Sequence, residues 1–110
     1  MYDELYEKLQ EVARQQKTTH YEDIAPMLGL RMEDPADRVR IGQILGEISK
    51  QEHKAGHPML SAVVTHKGDE RPGTGFFELA QELGRVGSMD GETFFIHELK
   101  RVHGWWAKAK

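Results

Sequence analysis

The chain has 110 residues, of which 38% are hydrophobic and 30% charged, with a formal net charge of -3. That length fits one domain with a modest core, and the apolar content is too high for wholesale disorder. The acidic balance weighs against nucleic acid as a partner, because phosphates need a positive surface, although a local basic face can sit on an acidic protein. The lack of cysteine removes disulfides, thiol nucleophiles and cysteine metal sites. It fits a reducing compartment, so a cytoplasmic location is expected. No apolar run approaches the roughly 20 residues that span a membrane, and the opening MYDELYEKLQ is acidic and amphipathic, unlike a signal peptide.

In chain order, Tyr2 to about Gln16 reads as a helix. Tyr2, Leu5, Tyr6, Leu9, Val12 and Ala13 recur at spacings of three and four and form one apolar stripe. Thr19 and Glu22 have the spacing of a capping box for a short second helix with Tyr21, Ile24, Ala25 and Leu28 on its apolar side. Pro26 predicts a kink or break, and Gly29 an end. Asp34 and Pro35 suit the cap and first residue of a third helix, from Pro35 to Lys54. Its buried side is Val39 or Ile41, then Ile44, Leu45 and Ile48. Gly42 and Gly46 lie one turn apart inside it, each costing about 1 kcal/mol against alanine. Two explanations compete for them: close packing against another helix, or close approach of a nucleic-acid backbone.

Gly56 is placed to end the third helix, with Pro58 as a stop. Met59 to Thr65 reads as a strand, with Leu60, Ala62 and Val64 on one face. His66 to Thr74 is a turn-rich tip. Gly75 to Phe77 either returns as a second strand or opens the next helix at once; Phe76, Leu79, Ala80 and Leu83 have helical spacing and Gly84 ends them. Asp90 caps a last helix running to about Ala107, with Phe95, Leu99, Val102 and Trp106 as its stripe and Lys100, Arg101, Lys108 and Lys110 toward its C-terminus. Consecutive helical residues point about 100° apart, so Trp106 is expected in the core and Trp105 at an edge, where it could serve a partner interface or stack on a nucleic-acid base.

A helix, then a strand, then a basic Gly/Pro-rich tip is the outline of a winged helix-turn-helix. The expected fold is therefore α+β: one mainly helical winged-helix domain over residues 1–110, with a short antiparallel sheet and a C-terminal helix. The third helix would offer Arg38, Arg40, Gln43 and Lys50 to a major groove, and the tip His66, Lys67 and Arg71 to phosphate. Glu33, Asp34, Asp37, Asp69 and Glu70 oppose this by repelling phosphate.

The order Thr19-x-Tyr21-x-x-Ile24-Ala25, then Ile41-Gly42, then Pro58 and Val63–Val64 resembles the winged-helix DNA-binding domain of the alkylguanine-DNA alkyltransferases and their alkyltransferase-like relatives, over about residues 18–75. The family's Pro-Cys-His-Arg motif falls near Pro58, where this chain has Pro58-Met59-Leu60-Ser61, so alkyl transfer to a thiol is impossible. Its intercalating arginine falls on Val39, between Arg38 and Arg40. The resemblance implies a fold and a DNA-facing helix without an activity. The segment LSAVVTHKGDERPGTGF is also similar to one in small bacterial and phage proteins of unassigned function.

No catalytic constellation stands out. His53 and His57 are spaced i, i+4 beside Glu52, but Gly56 interrupts the helix between them and no third zinc ligand follows. His66, Asp69 and Glu70 sit in a tip that suits binding better than a pre-organised nuclease site. Ser61, and Ser88 with Asp90, lack a nucleophile-elbow context, and PGTG lacks the Lys-Ser/Thr of a phosphate loop. No metal and no cofactor are expected. The expected function is a non-catalytic binder of double-stranded DNA, as in a transcriptional or phage/defence regulator; the alternative is a protein-interaction or assembly module on the same scaffold. The acidic first helix and the Trp105–Trp106 end suit the alternative, including a homodimer built on the first or last helix.

Overall fold

A computed structural model describes residues 3–108. Tyr2 and Lys110, assigned above to the first apolar stripe and the last basic cluster, lie outside the described residues. The elements in order are α1 (Asp3–Arg14), β1 (Thr19–His20), α2 (Tyr21–Ile24), a 3₁₀ helix (Ala25–Leu28), α3 (Pro35–Lys54), a second 3₁₀ helix (Leu60–Val63), β2 (Val64–Thr65), α4 (Thr74–Glu82) and α5 (Gly91–Lys108).

The helix signals act where they were read. Pro26 stops α2 at Ile24, and the chain continues as a 3₁₀ turn that ends on Gly29 at φ 70°. Asp34 accepts a hydrogen bond from the Ala36 N–H at 2.9 Å, capping α3 ahead of Pro35. Gly56, at φ 81°, turns the chain after α3, and the His57 N–H reaches back to the Glu52 carbonyl at 2.8 Å. Asp90 accepts from the Thr93 N–H at 2.8 Å and caps α5.

The sheet corrects the expected fold class. β1 and β2 pair in parallel, with Thr19 opposite Val64 and His20 opposite Thr65. An antiparallel pair needs a chain reversal between its strands, whereas here α2 and α3 carry the chain from one strand to the next in the same sense. The sheet also takes Thr19 away from the expected capping box. His20, not Thr19, is the N-cap of α2, and its side chain makes no capping bond. The strand read over Met59–Thr65 shortens to two residues, because Leu60–Val63 coils as a 3₁₀ helix. All seven residues of this stretch are buried. With no solvated face, no strand alternation is required, and the coil turns every side chain into the core. Nor does a strand follow the tip: α4 starts at Thr74.

The buried 59–65 stretch is the centre of the molecule, with α1, α3 and α5 packed around it. α1 contributes Leu5, Leu9, Val12 and Ala13; α3 contributes Ile41, Ile44, Leu45 and Ile48; α5 contributes Phe94, Phe95, Val102 and Trp106. Of the two candidates for this face, Ile41 is buried and Val39 is 62% exposed. Buried Ser49 and Ser61 satisfy each other across the α3 contact, Oγ to Oγ, at 2.7 Å.

Candidate functional site

α4 lies against α3 and leaves a groove of about 1150 Å³ between them. That exceeds the roughly 300–1,000 Å³ typical of small-molecule pockets. Its apolar lining comes from Met32, Val39, Leu45, Phe76 and Leu79, and the α3 wall is flattened by Gly42 and Gly46. Neither glycine is explained by close helix packing. A Cβ on Gly42 would meet nothing within 4 Å, and one on Gly46 would meet only the Leu79 side chain, at an ordinary 3.7 Å.

One end of the groove is polar. The Tyr21 hydroxyl accepts a hydrogen bond from the Gly73 N–H at 2.9 Å, and the Tyr21 and His66 rings lie 4.5 Å apart between centroids. Burial pushes the Tyr21 phenol above its ordinary range, and the Gly73 N–H partly offsets this. Gly73 is needed here: a Cβ would come within 3.4 Å of both the His66 ring and the Tyr21 oxygen.

The tip is a closed loop. The His66 N–H donates to the Arg71 carbonyl at 2.8 Å, and the Glu70 N–H to the His66 carbonyl at 2.9 Å. Glu70 then reaches the His20 ring at 2.8 Å, tying the tip to β1. The carboxylates that opposed phosphate binding at the tip are therefore partly spent internally: Asp69 accepts from the Arg71 N–H at 3.0 Å.

Of the residues proposed for DNA, Arg38, Gln43, Lys50 and His66 line this one groove, and Arg40, Lys67 and Arg71 do not. The same lining includes Glu47, Glu78 and Glu82, so two permanent cations face three carboxylates. Trp105 stands elsewhere, 42% exposed on α5, with its ring 4.6 Å from that of His57. His66, Asp69 and Glu70 do not converge, since His66 turns to Tyr21 and Glu70 to His20.

The sequence reading missed a second polar assembly. Glu98, 1% exposed in the middle of α5, accepts from the Met59 N–H at 2.8 Å, from Arg85 at 3.0 Å and from Arg101 at 3.2 Å. Arg85 also donates to the His53 ring, at 3.0 Å, and to the His57 carbonyl. Next to it, buried Glu52 accepts from the Tyr6 hydroxyl at 2.9 Å and from the His57 ring at 3.1 Å. Burial, then the bond and charge of Glu52, pushes the Tyr6 phenol up to about 12. The rings of His53 and His57, the i, i+4 pair set aside as a metal site, go to different partners, Arg85 and Glu52. Among the described residues no cluster of three or more histidine or acidic side chains could hold a metal ion. The one available signal was Glu98, a charge inside the apolar stripe of α5.

Among the described residues no helix is long and apolar enough to cross a membrane. Compared with protein-family models, with curated proteins and with solved structures, the chain matches none.

Proposed function

We propose that this chain is a non-catalytic protein-interaction module whose working surface is the α3–α4 groove. The observation that carries the reading is the composition of that groove. Its lining combines buried apolar residues, Leu45, Phe76 and Leu79, with exposed Val39 and exposed charges of both signs. Protein interfaces likewise join apolar area with polar and charged groups. A phosphate backbone needs excess positive charge, and two cations against three carboxylates do not supply it.

A random-peptide display selection tests the reading, with amide-shift mapping of the selected peptides. Selected peptides should perturb α3 and α4. Gly42→Trp, which fills the groove at a position with open space around it, should abolish their binding while the fold persists. Selected peptides that map elsewhere and ignore Gly42→Trp would remove the groove from the proposal.

The second reading is a DNA binder, favoured by Arg38, Gln43, Lys50 and His66 sharing one groove. A salt titration against a mixed-sequence duplex separates the two. Binding that falls steeply with salt reports phosphate contacts, and no binding at low salt ends this reading.

A further inference from the structure

We infer that the groove is occupied by a second copy of this chain, arranged about a twofold axis; the inference rests on the reading of the groove as a protein-binding surface. The argument starts from how charge divides between the walls. The α3 wall carries Arg38 and Lys50, and the α4 wall carries Glu78 and Glu82. A twofold interface uses the same patch on both copies, and when its axis runs along the groove a group on one wall meets a group from the opposite wall of the other copy. A surface with cations along one wall and carboxylates along the other is complementary to itself under that operation. Glu47 is the exception on α3, a carboxylate on the same wall three residues before Lys50.

The second observation is that these charges have no use within the chain. Some exposed charges elsewhere are paired, such as Arg14 with Glu11 at 3.2 Å and Arg31 with Glu33 at 2.8 Å, and others, such as Lys8, Lys54 and Glu92, are not. Among the described residues, Arg38, Glu47, Lys50, Glu78 and Glu82 form no ion pair with any side chain. The groove therefore combines unpaired charges of opposite sign with apolar lining residues.

The third observation concerns the fit. Val39 is 62% exposed inside this groove, and a partner covering it would gain by its burial. Gly42 and Gly46 keep the α3 wall flat although nothing in the chain needs the space at Gly42. A flat wall lets the second copy approach the α3 backbone closely. The charged rim then sets orientation, pairing Arg38 and Lys50 of each copy with Glu78 and Glu82 of the other.

The test is sedimentation of the full chain at low salt, alone and as two double variants. The first is Arg38→Glu with Lys50→Glu; the second is Glu78→Lys with Glu82→Lys. All four positions are exposed, so circular dichroism should show both variants folded. The wild type should sediment as a dimer. Each variant alone should self-associate about tenfold or more weakly, because like charges then face each other. An equimolar mixture of the two should recover the dimer, since one copy now presents two acidic walls and the other two basic ones. A wild type that is monomeric at millimolar concentration overturns the inference, as does a dimer indifferent to both variants. A monomer whose groove still takes display-selected peptides loses only the second copy; a monomer whose groove takes none loses the protein-binding reading as well.

Discussion

Replacing Gly42 with alanine should stabilise the protein, although the position lies in the candidate groove. Gly42 is inside α3 and outside the set of residues with positive φ, so alanine suits its backbone. The new methyl group would meet nothing within 4 Å. With neither strain nor clash to oppose it, the helix-propensity gain of about 1 kcal/mol should appear in full. Gly46→Ala should add a similar amount, because its only close neighbour is Leu79 at a normal 3.7 Å. For a domain of this size, 1 kcal/mol corresponds to roughly 4 °C in Tm. Gly56→Ala is the internal control. It also has open space around it, but at φ 81° it should lose about 1–2 kcal/mol to left-handed strain. Calorimetry and urea titration read all three. A lower Tm for Gly42→Ala with unchanged helix content would refute the reasoning, since it requires a neighbour that Gly42 does not have. A rise in Tm together with weaker groove binding would show that the glycine serves the bound state.

Glu98→Ala should cost about 3–5 kcal/mol, because it leaves Arg85, whose side chain is only 11% exposed, without its counter-charge. Combining Glu98→Leu with Arg85→Met should recover much of that loss in a urea double-mutant cycle, and strict additivity of the two changes would contradict the coupling. Tyr6 predicts an alkaline transition. Its phenol titrates near 12 in the fold against about 10 in the unfolded chain. Its contribution to stability is therefore full below pH 10 and lost as pH rises through 12. Tyr6→Phe should remove both that slope and the tyrosinate absorbance change near 12; an unchanged titration curve would exclude Tyr6 as its source. Asp34→Ala should cost about 1 kcal/mol by uncapping α3, and a neutral result in thermal melts would mean that Pro35 alone sets the helix start.

Local chemistry was legible wherever a residue acts on its own backbone. Pro26, Gly29, Asp34, Gly56, Gly84 and Asp90 each mark a helix boundary through φ, a missing N–H or a side-chain acceptor, and none needs a distant partner. Most of the face of each long helix was legible for the same reason, apart from the choice between Val39 and Ile41 on α3 and, on α5, buried Phe94, which the expected stripe omitted. The Met59–Thr65 stretch was misread because β-branched residues were taken as a strand signal. In a segment buried on every side, tertiary packing overrides that preference.

The sequence by itself determined the helices, their ends and most of their buried faces, because these follow from periodicity and capping within a few neighbouring residues. It also excluded thiol chemistry outright. Only the tertiary structure decided the parallel pairing of Thr19–His20 with Val64–Thr65, which depends on where two segments some forty residues apart come to rest. The same holds for the candidate site. Arg38, Gln43, Lys50 and His66 share a groove because α4 returns beside α3, and the three carboxylates that change its meaning arrive on those same two helices. Glu98 and Arg85 find each other across a turn between elements. Contacts of this kind are set by packing over the whole chain, and no local pattern records them.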